Sequence, residues 1–249
     1  MLQEVSRCAD QVDASRIEAP VHTLLFDFGG TLDANGIAWK ERFHALYRAE
    51  GQDISADDFA PCFYAADDPL VGSLPSNTDL AGTVHALVAN LERELARIGG
   101  QGSVSRAQRI ASQFLSDTAA AIDRNRPVLE ALSERYRLGI VSNFYGNLDA
   151  VCRGAGLASV FSVLVDSHCV GAEKPDPAIF RVALDALRAT PGTTLFVGDS
   201  LRRDREGARR SGMRFVWLKP ETIEAANAPT PEAVDHAVAD LRGLMTVLA

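Results

Sequence analysis

The sequence predicts an α/β protein: a doubly wound parallel sheet with an all-helical block inserted after its first strand. Three observations predict it. Short apolar runs recur with amphipathic helical stretches between them, the rhythm of right-handed βαβ units. That rhythm is interrupted once, between residues 37 and 123, where only helical periodicity is found. The 249 residues suffice for one large α/β domain, or for a core domain carrying a smaller insertion.

Taken in order, residues 1–20 are polar, end at Pro20 and read as an N-terminal extension outside the core, with room for a short helix. VHTLLFDF follows, an apolar run that ends in Asp27 and is followed at once by Gly29-Gly30-Thr31. This is a buried strand delivering a carboxylate to its C-terminal end, with a glycine-rich turn beyond. From Ile37 the period changes, and Trp39, Phe43, Leu46 and Tyr47 mark one helical face. Ser55 with Asp58 caps a second helix carrying Phe59 and Phe63. Between Asp79 and Ile98, Leu80, Val84, Leu87, Leu91, Leu95 and Ile98 recur at spacings of three and four until Gly99-Gly100. A further helix starts at Ser105, with Ile110, Phe114 and Ala121 inward.

After Pro127 the alternation returns. The helix VLEALSERY precedes the strand LGIVSN, a helix from Asn147 precedes FSVLVDS, and a helix from Pro177 precedes TLFVGDS, with Ile179, Ala183, Leu184 and Leu187 inward. A helix around Glu206 precedes MRFVWL, and a last helix is expected near Pro231. The predicted division is therefore a core of residues 21–36 and 124–249 around a helical domain of residues 37–123.

Composition narrows the partners. The net charge of −8 opposes a nucleic-acid or anionic-membrane surface, because the attraction to phosphate backbones would be missing. Cys8, Cys62, Cys152 and Cys169 are scattered without metal-like spacing, as expected of thiols in a reducing compartment. The N-terminal stretch has no apolar core of a secretory signal, and no apolar run reaches the roughly 18 residues of a membrane span. A soluble, cytoplasmic protein is expected, as a monomer or homodimer. Lysine is scarce, with only Lys40, Lys174 and Lys219 present.

Ligands of doubly wound sheets bind beyond the carboxyl ends of the strands. Asp27, Ser142, Asn143, Asp199 and Ser200 would all lie there, with Lys174 in the loop GAEKPDP and Asp204 five residues past Asp199. Carboxylates facing one another do not all stay ionised without a cation, and hard oxygen ligands favour Mg²⁺. The metal and one lysine neutralise phosphate charge, hydroxyl and amide donors hold its oxygens, and a free carboxylate attacks to form an aspartyl-phosphate.

FDFGGTL, VSN, the lysine of AEKPDP and GDSLRRD together resemble, in order, the four motifs of the haloacid dehalogenase-like superfamily, over residues 21–220. The helical block sits where that superfamily places its C1 cap. The resemblance implies Asp27 as nucleophile and metal ligand, Ser142 on a phosphoryl oxygen, and Lys174 balancing the charge on both. It implies metal binding by Asp199, by Asp204 and by the backbone carbonyl of Gly29, and a substrate-binding set of Gly30, Thr31, Ser142, Asn143 and Lys174. The implied activity is a Mg²⁺-dependent phosphatase acting on a small phosphorylated metabolite.

The sequence departs from that pattern at Gly29, where the family's phosphatases carry a second aspartate that serves as acid and base. Dehalogenases of the family replace it with a bulky residue, work without Mg²⁺ and lack the Gly-Asp of the fourth motif, which is intact here as Gly198-Asp199. Phosphonatases have a small residue there and a cap lysine that forms a Schiff base; Lys40 is the one cap lysine. Other routes are a substrate with a good leaving group, such as an anomeric or acyl phosphate, or an acid borrowed from Asp33, His44 or His85. A non-catalytic relative that binds a phosphate ligand or a protein is the alternative outside enzymology. Arg203 is a further departure, standing where the family often has asparagine. Gly198-Asp199-Ser200-Leu201 also spells the signature of a serine esterase family, but late in the chain, with His236 following Ala233 where an aspartate is needed.

Overall fold

A computed structural model describes residues 20–99, 102–219 and 235–249. The expected extension at residues 1–19 and the start of the helix expected near Pro231 lie outside the described residues.

The chain enters through β1 (Thr23–Phe26), all four residues buried, and turns sharply through Phe28–Leu32. Four helices follow before any second strand: α1 (Trp39–Ala49), α2 (Ala56–Asp67), α3 (Leu80–Arg97) and α4 (Val104–Ser133). The alternation then resumes with β2 (Arg137–Ser142), α5 (Leu148–Gly154), β3 (Val163–Asp166), the single turn α6 (Ser167–Val170) and α7 (Pro177–Leu187). It continues with β4 (Thr194–Gly198), a turn Leu201–Arg205, α8 (Glu206–Arg210), β5 (Arg214–Leu218), β6 (His236–Val238) and α9 (Gly243–Val247).

The six strands form one sheet in the order β3-β2-β1-β4-β5-β6, every pair parallel. Phe26 sits opposite both Ile140 and Val197, so β1, β2 and β4 end in step. Successive connections depart in opposite directions from β1, which makes the crevice beyond β1 and β4 the switch point where such sheets bind ligands. Alternation of side chains along the strands gives two cores. Leu24, Phe26, Ile140 and Val197 belong to the core on the side of α4, α5 and α9; Leu25, Val141, Phe196 and Phe215 pack toward α7 and α8.

Two helices of the insertion have a local cause at their starts. Ser55 accepts a hydrogen bond from the Asp58 amide and Asp79 from that of Gly82, satisfying donors left open at the starts of α2 and α3. The apolar faces meet inside, with the rings of Phe43 and Phe114 stacked at 4.2 Å. Ile98, expected to face inward, is 59% exposed because the last turn of α3 has run past the bundle.

Two expectations are corrected. The break anticipated at Pro127 is absent: the helix from Ser105 and the helix VLEALSERY are one 30-residue α4 that runs from the insertion into the core. An interior proline removes one backbone bond and crowds the preceding turn, at a cost of about 3 kcal/mol. Burial of Ile122, Leu129 and Leu132 on either side offsets that cost. The strand β6 was not foreseen, since HAV is too short to carry a period of its own. Among the described residues, no helix is long and apolar enough to cross a membrane.

Candidate active site

The ends of β1, β2 and β4 deliver the chemistry. The Asp27 amide still donates to Val197 (3.0 Å), which carries the parallel ladder to the carboxylate and fixes its backbone. Ser142, last in β2, donates from Oγ to Asp27 Oδ1 at 2.7 Å. Lys174 Nζ lies 2.7 Å from Asp27 Oδ1 and 2.7 Å from Asp204 Oδ1. Asp27 Oδ2 takes no hydrogen bond from the described residues and is the free edge of the carboxylate.

Lys174 is buried and aimed by Asn143. The Asn143 amide nitrogen donates to the Lys174 carbonyl (3.2 Å), and the Lys174 amide donates to Asn143 Oδ1 (2.7 Å). Asn143, expected on substrate, lines the cavity, and its carboxamide bonds the lysine loop.

Oxygens of Asp27, Asp199 and Asp204 lie within 4.8 Å of one another. Burial pushes Asp199 well above the usual carboxylate range, with the charges of Asp204 and Asp27 adding to it. Burial likewise raises Asp204, to about 6, against the opposing pull of Lys174. For Lys174, burial alone would lower the ammonium; Asp204 and Asp27 outweigh it and hold the group above its ordinary value. Asp204 Oδ2 accepts from the Ser200 amide (3.0 Å), while Oδ1 is buried with the lysine ion pair and no well-directed hydrogen bond. Three ionised carboxylates against one ammonium would leave an excess of two negative charges, which is why Asp199 and Asp204 hold their protons to higher pH. All-oxygen donors at this spacing suit a hard divalent cation.

The turn after Asp27 is built for close approach. Gly30 has φ +91°, and a Cβ there would stand 2.7 Å from Asp199 Oδ2, so only glycine lets the acidic cluster close. Its amide donates to Asp33 Oδ1 at 2.6 Å and is not free to meet a ligand. Thr31 is fully buried and donates from Oγ1 to Asp199 Oδ1 (3.2 Å), which makes it a support of the acidic cluster. Both residues were expected on substrate, and their polar groups are engaged within the protein. Gly29 lines the cavity above the cluster, and a Cβ there would come 3.3 Å from Trp39 Nε1.

None of the three acids proposed to replace the missing aspartate reaches the cavity. Asp33 is fully buried, its carboxylate taken by the Gly30 amide, Trp39 Nε1 (2.6 Å) and Arg42 (2.9 Å). His44 Nε2 is bonded to the Ile54 carbonyl and His85 Nδ1 to that of Ala81, each within the helical block. Ser200 caps its own turn by accepting from the Arg203 amide, and His236 lies on β6 at the far edge of the sheet. No serine-esterase dyad forms.

The cavity is about 600 Å³ and is lined on one side by the helical block. Trp39, Lys40, Glu41, Phe63, Tyr64 and Asp67 come from the insertion, and Phe144, Tyr145, Arg202 and Arg203 from the sheet loops. Of these, the sequence reading singled out Lys40 and Arg203 but missed the Asp67–Tyr145 pair, joined by a 2.5 Å hydrogen bond from the phenol. The only signals were an aspartate at a helix end and a tyrosine three residues past Ser142.

Comparison with known proteins agrees with this geometry. The haloacid dehalogenase-like hydrolase family matches residues 21–212. Haloacid dehalogenase-like hydrolase domain-containing protein 3 of Bos taurus is 29% identical over 187 residues, 72% of this chain and 74% of the relative. Phosphoserine phosphatase of Thermus thermophilus is 44% identical over 93 residues, 36% of this chain and 34% of that enzyme. Among solved structures, a dehalogenase crystallised as an intermediate complex superimposes with a TM-score of 0.63 at 20% identity, over 94% of this chain and 99% of its own, a likeness of fold. With the sheet order, the helical insertion and the acidic cluster already in place, the chain belongs to the haloacid dehalogenase-like hydrolase family.

Proposed function

We propose that the protein is a Mg²⁺-dependent phosphatase that hydrolyses a small phosphorylated metabolite through an aspartyl-phosphate on Asp27. The observation that carries this reading is the Asp27 carboxylate itself. One oxygen is pinned by Ser142 and Lys174, and the other is left free beside two further carboxylates, Asp204 buried and Asp199 half-buried. Asp27 Oδ2 attacks phosphorus in line with the departing oxygen, and water then cleaves the acyl-phosphate. Ser142 and Lys174, relieved of part of their hold on Asp27, donate to the phosphoryl oxygens. Asp27, Asp199, Asp204 and the Gly29 carbonyl would hold Mg²⁺, which supplies charge neutralisation for phosphate entering an acidic site.

The rival chemistries fit less well. A Schiff-base lysine needs a lowered pKa, whereas Lys40 is raised: burial pulls it down, but its partner Glu41 at 3.0 Å outweighs that. A metal-free dehalogenase has no use for Asp199 and Asp204 repelling one another inside the site.

Phosphate release should be measured with and without Mg²⁺ on alkyl phosphates, sugar 1-phosphates, acyl phosphates and an aryl phosphate, with Asp27→Asn as control. Metal-dependent release that vanishes in Asp27→Asn is the expected result. No Asp27-dependent release from any of them would sink the phosphatase reading and favour a non-catalytic binding protein.

A further inference from the structure

Departure of an alkyl oxygen from phosphorus demands a proton, because an alkoxide is a poor leaving group at neutral pH. In-line attack from Asp27 puts that oxygen on the side of phosphorus away from the sheet, toward the helical block. Five carboxylates line the cavity. Asp27, Asp199 and Asp204 belong to the nucleophile and cation cluster, and Glu41 is half exposed and paired with Lys40.

Resting on the phosphatase reading, we propose that Asp67, at the end of α2, is the general acid and base of the reaction, oriented by Tyr145. The Tyr145 hydroxyl donates to Asp67 Oδ1, and Oδ2 takes no hydrogen bond from the described residues, which leaves Oδ2 to carry the proton in a residue that lines the cavity. A wall of rings joins this pair to the nucleophile's turn. Trp39 lies against Gly29, and its ring centroid is 6.3 Å from that of Tyr145. That indole also fills the space in which a side chain at position 29 would stand.

The environment of Asp67 suits the task. Burial raises its carboxyl to about 6, with Asp68 adding to the rise and the Tyr145 bond and Arg203 opposing it. An acid with a pKa near the working pH is present in both protonation states. In the first step Asp27 Oδ2 bonds to phosphorus, the bond from phosphorus to the leaving oxygen breaks, and Asp67 gives that oxygen its proton. In the second, ionised Asp67 takes a proton from water as the water oxygen bonds to phosphorus. The bond to Asp27 then breaks, phosphate leaves, and Asp67 is protonated again.

The test uses the full chain with Mg²⁺, an alkyl phosphate that the wild type hydrolyses, and 4-nitrophenyl phosphate. Asp67→Asn should lose about 10²–10⁴-fold in kcat/KM on the alkyl ester, the worth of a positioned acid. On the aryl ester, whose leaving group needs no proton, it should give a burst of one 4-nitrophenolate per enzyme and accumulate phosphorylated Asp27. Tyr145→Phe removes a bond that favours the ionised carboxylate, so the alkaline limb for the alkyl ester should move to higher pH. Asp67→Glu should recover part of the activity. Equal losses on both esters without a burst, or an unmoved pH limb in Tyr145→Phe, would overturn the role of Asp67 while leaving the phosphatase intact. A wild type with no Asp27-dependent release would overturn both.

Discussion

At Gly29 the backbone has φ −75° and ψ 117°, a conformation open to any residue. What crowds the position is the indole of Trp39, 3.3 Å from where a Cβ would stand and held in place by its bond to Asp33. Restoring an aspartate here therefore overpacks the turn. Gly29→Asp is expected to lower stability by about 1–3 kcal/mol in denaturant titration without raising turnover of alkyl phosphates. An unchanged midpoint with faster turnover would mean that the indole swings aside and the position still accepts a conventional acid. Residues of this kind divide by how local their cause is. Asp27, Ser142, Lys174, Asp199 and Asp204 were legible because each ends an apolar run or sits in a short loop beside one. Asp67 and Tyr145 were not, because their meeting joins residues 78 apart through a fold that local periodicity does not specify.

Helices and turns carry the same lesson at the next scale. Asp33 binds the turn after β1 to α1 through Gly30, Trp39 and Arg42. Arg42 passes on to α4, donating to Thr118 Oγ1 at 2.7 Å and stacking 3.8 Å over the Phe114 ring. One buried carboxylate thus fastens three elements. Burial raises its pKa despite Arg42, which measures how costly the charge is to keep there. Asp33→Asn removes the charge and strands a guanidinium of which only 11% is exposed, so a loss of about 3–5 kcal/mol is expected on unfolding. A loss below about 1 kcal/mol, as for a surface pair, would mean that Arg42 finds another partner. The sequence marked Asp33 as a candidate acid just past the turn and not as this junction, since the groups it joins are distant. It likewise split α4 at Pro127, because a proline read alone is a stop and the burial that overrides it is tertiary.

The loop after β2, residues 143–147, ties the helical block to the sheet. Tyr145 donates to Asp67 and accepts from the Gly72 amide (3.0 Å), while Asn147 donates to the Thr78 carbonyl (2.9 Å) and Thr83 Oγ1 (2.7 Å). These bonds belong to the contact between block and sheet. They also couple that contact to pH. Between the ordinary aspartate value of 3.8 and about 6, the folded protein keeps a proton on Asp67 that the unfolded chain has lost. Stability therefore falls as pH rises through that window, because the native state binds the more protons. Asp67→Asn fixes the side chain in the uncharged form and keeps an oxygen to accept from Tyr145. Below the window it should melt with the wild type. As pH rises from about 4 to about 6 its melting temperature should gain steadily on that of the wild type, and above about 6 the lead should level off, because Asp67 is then ionised in the folded and unfolded wild type alike. Melting curves of both proteins from pH 4 to pH 8 decide it. A difference that stays constant over that range would mean that Asp67 ionises as an ordinary surface carboxylate and that the contact closed by Tyr145 does not sense pH.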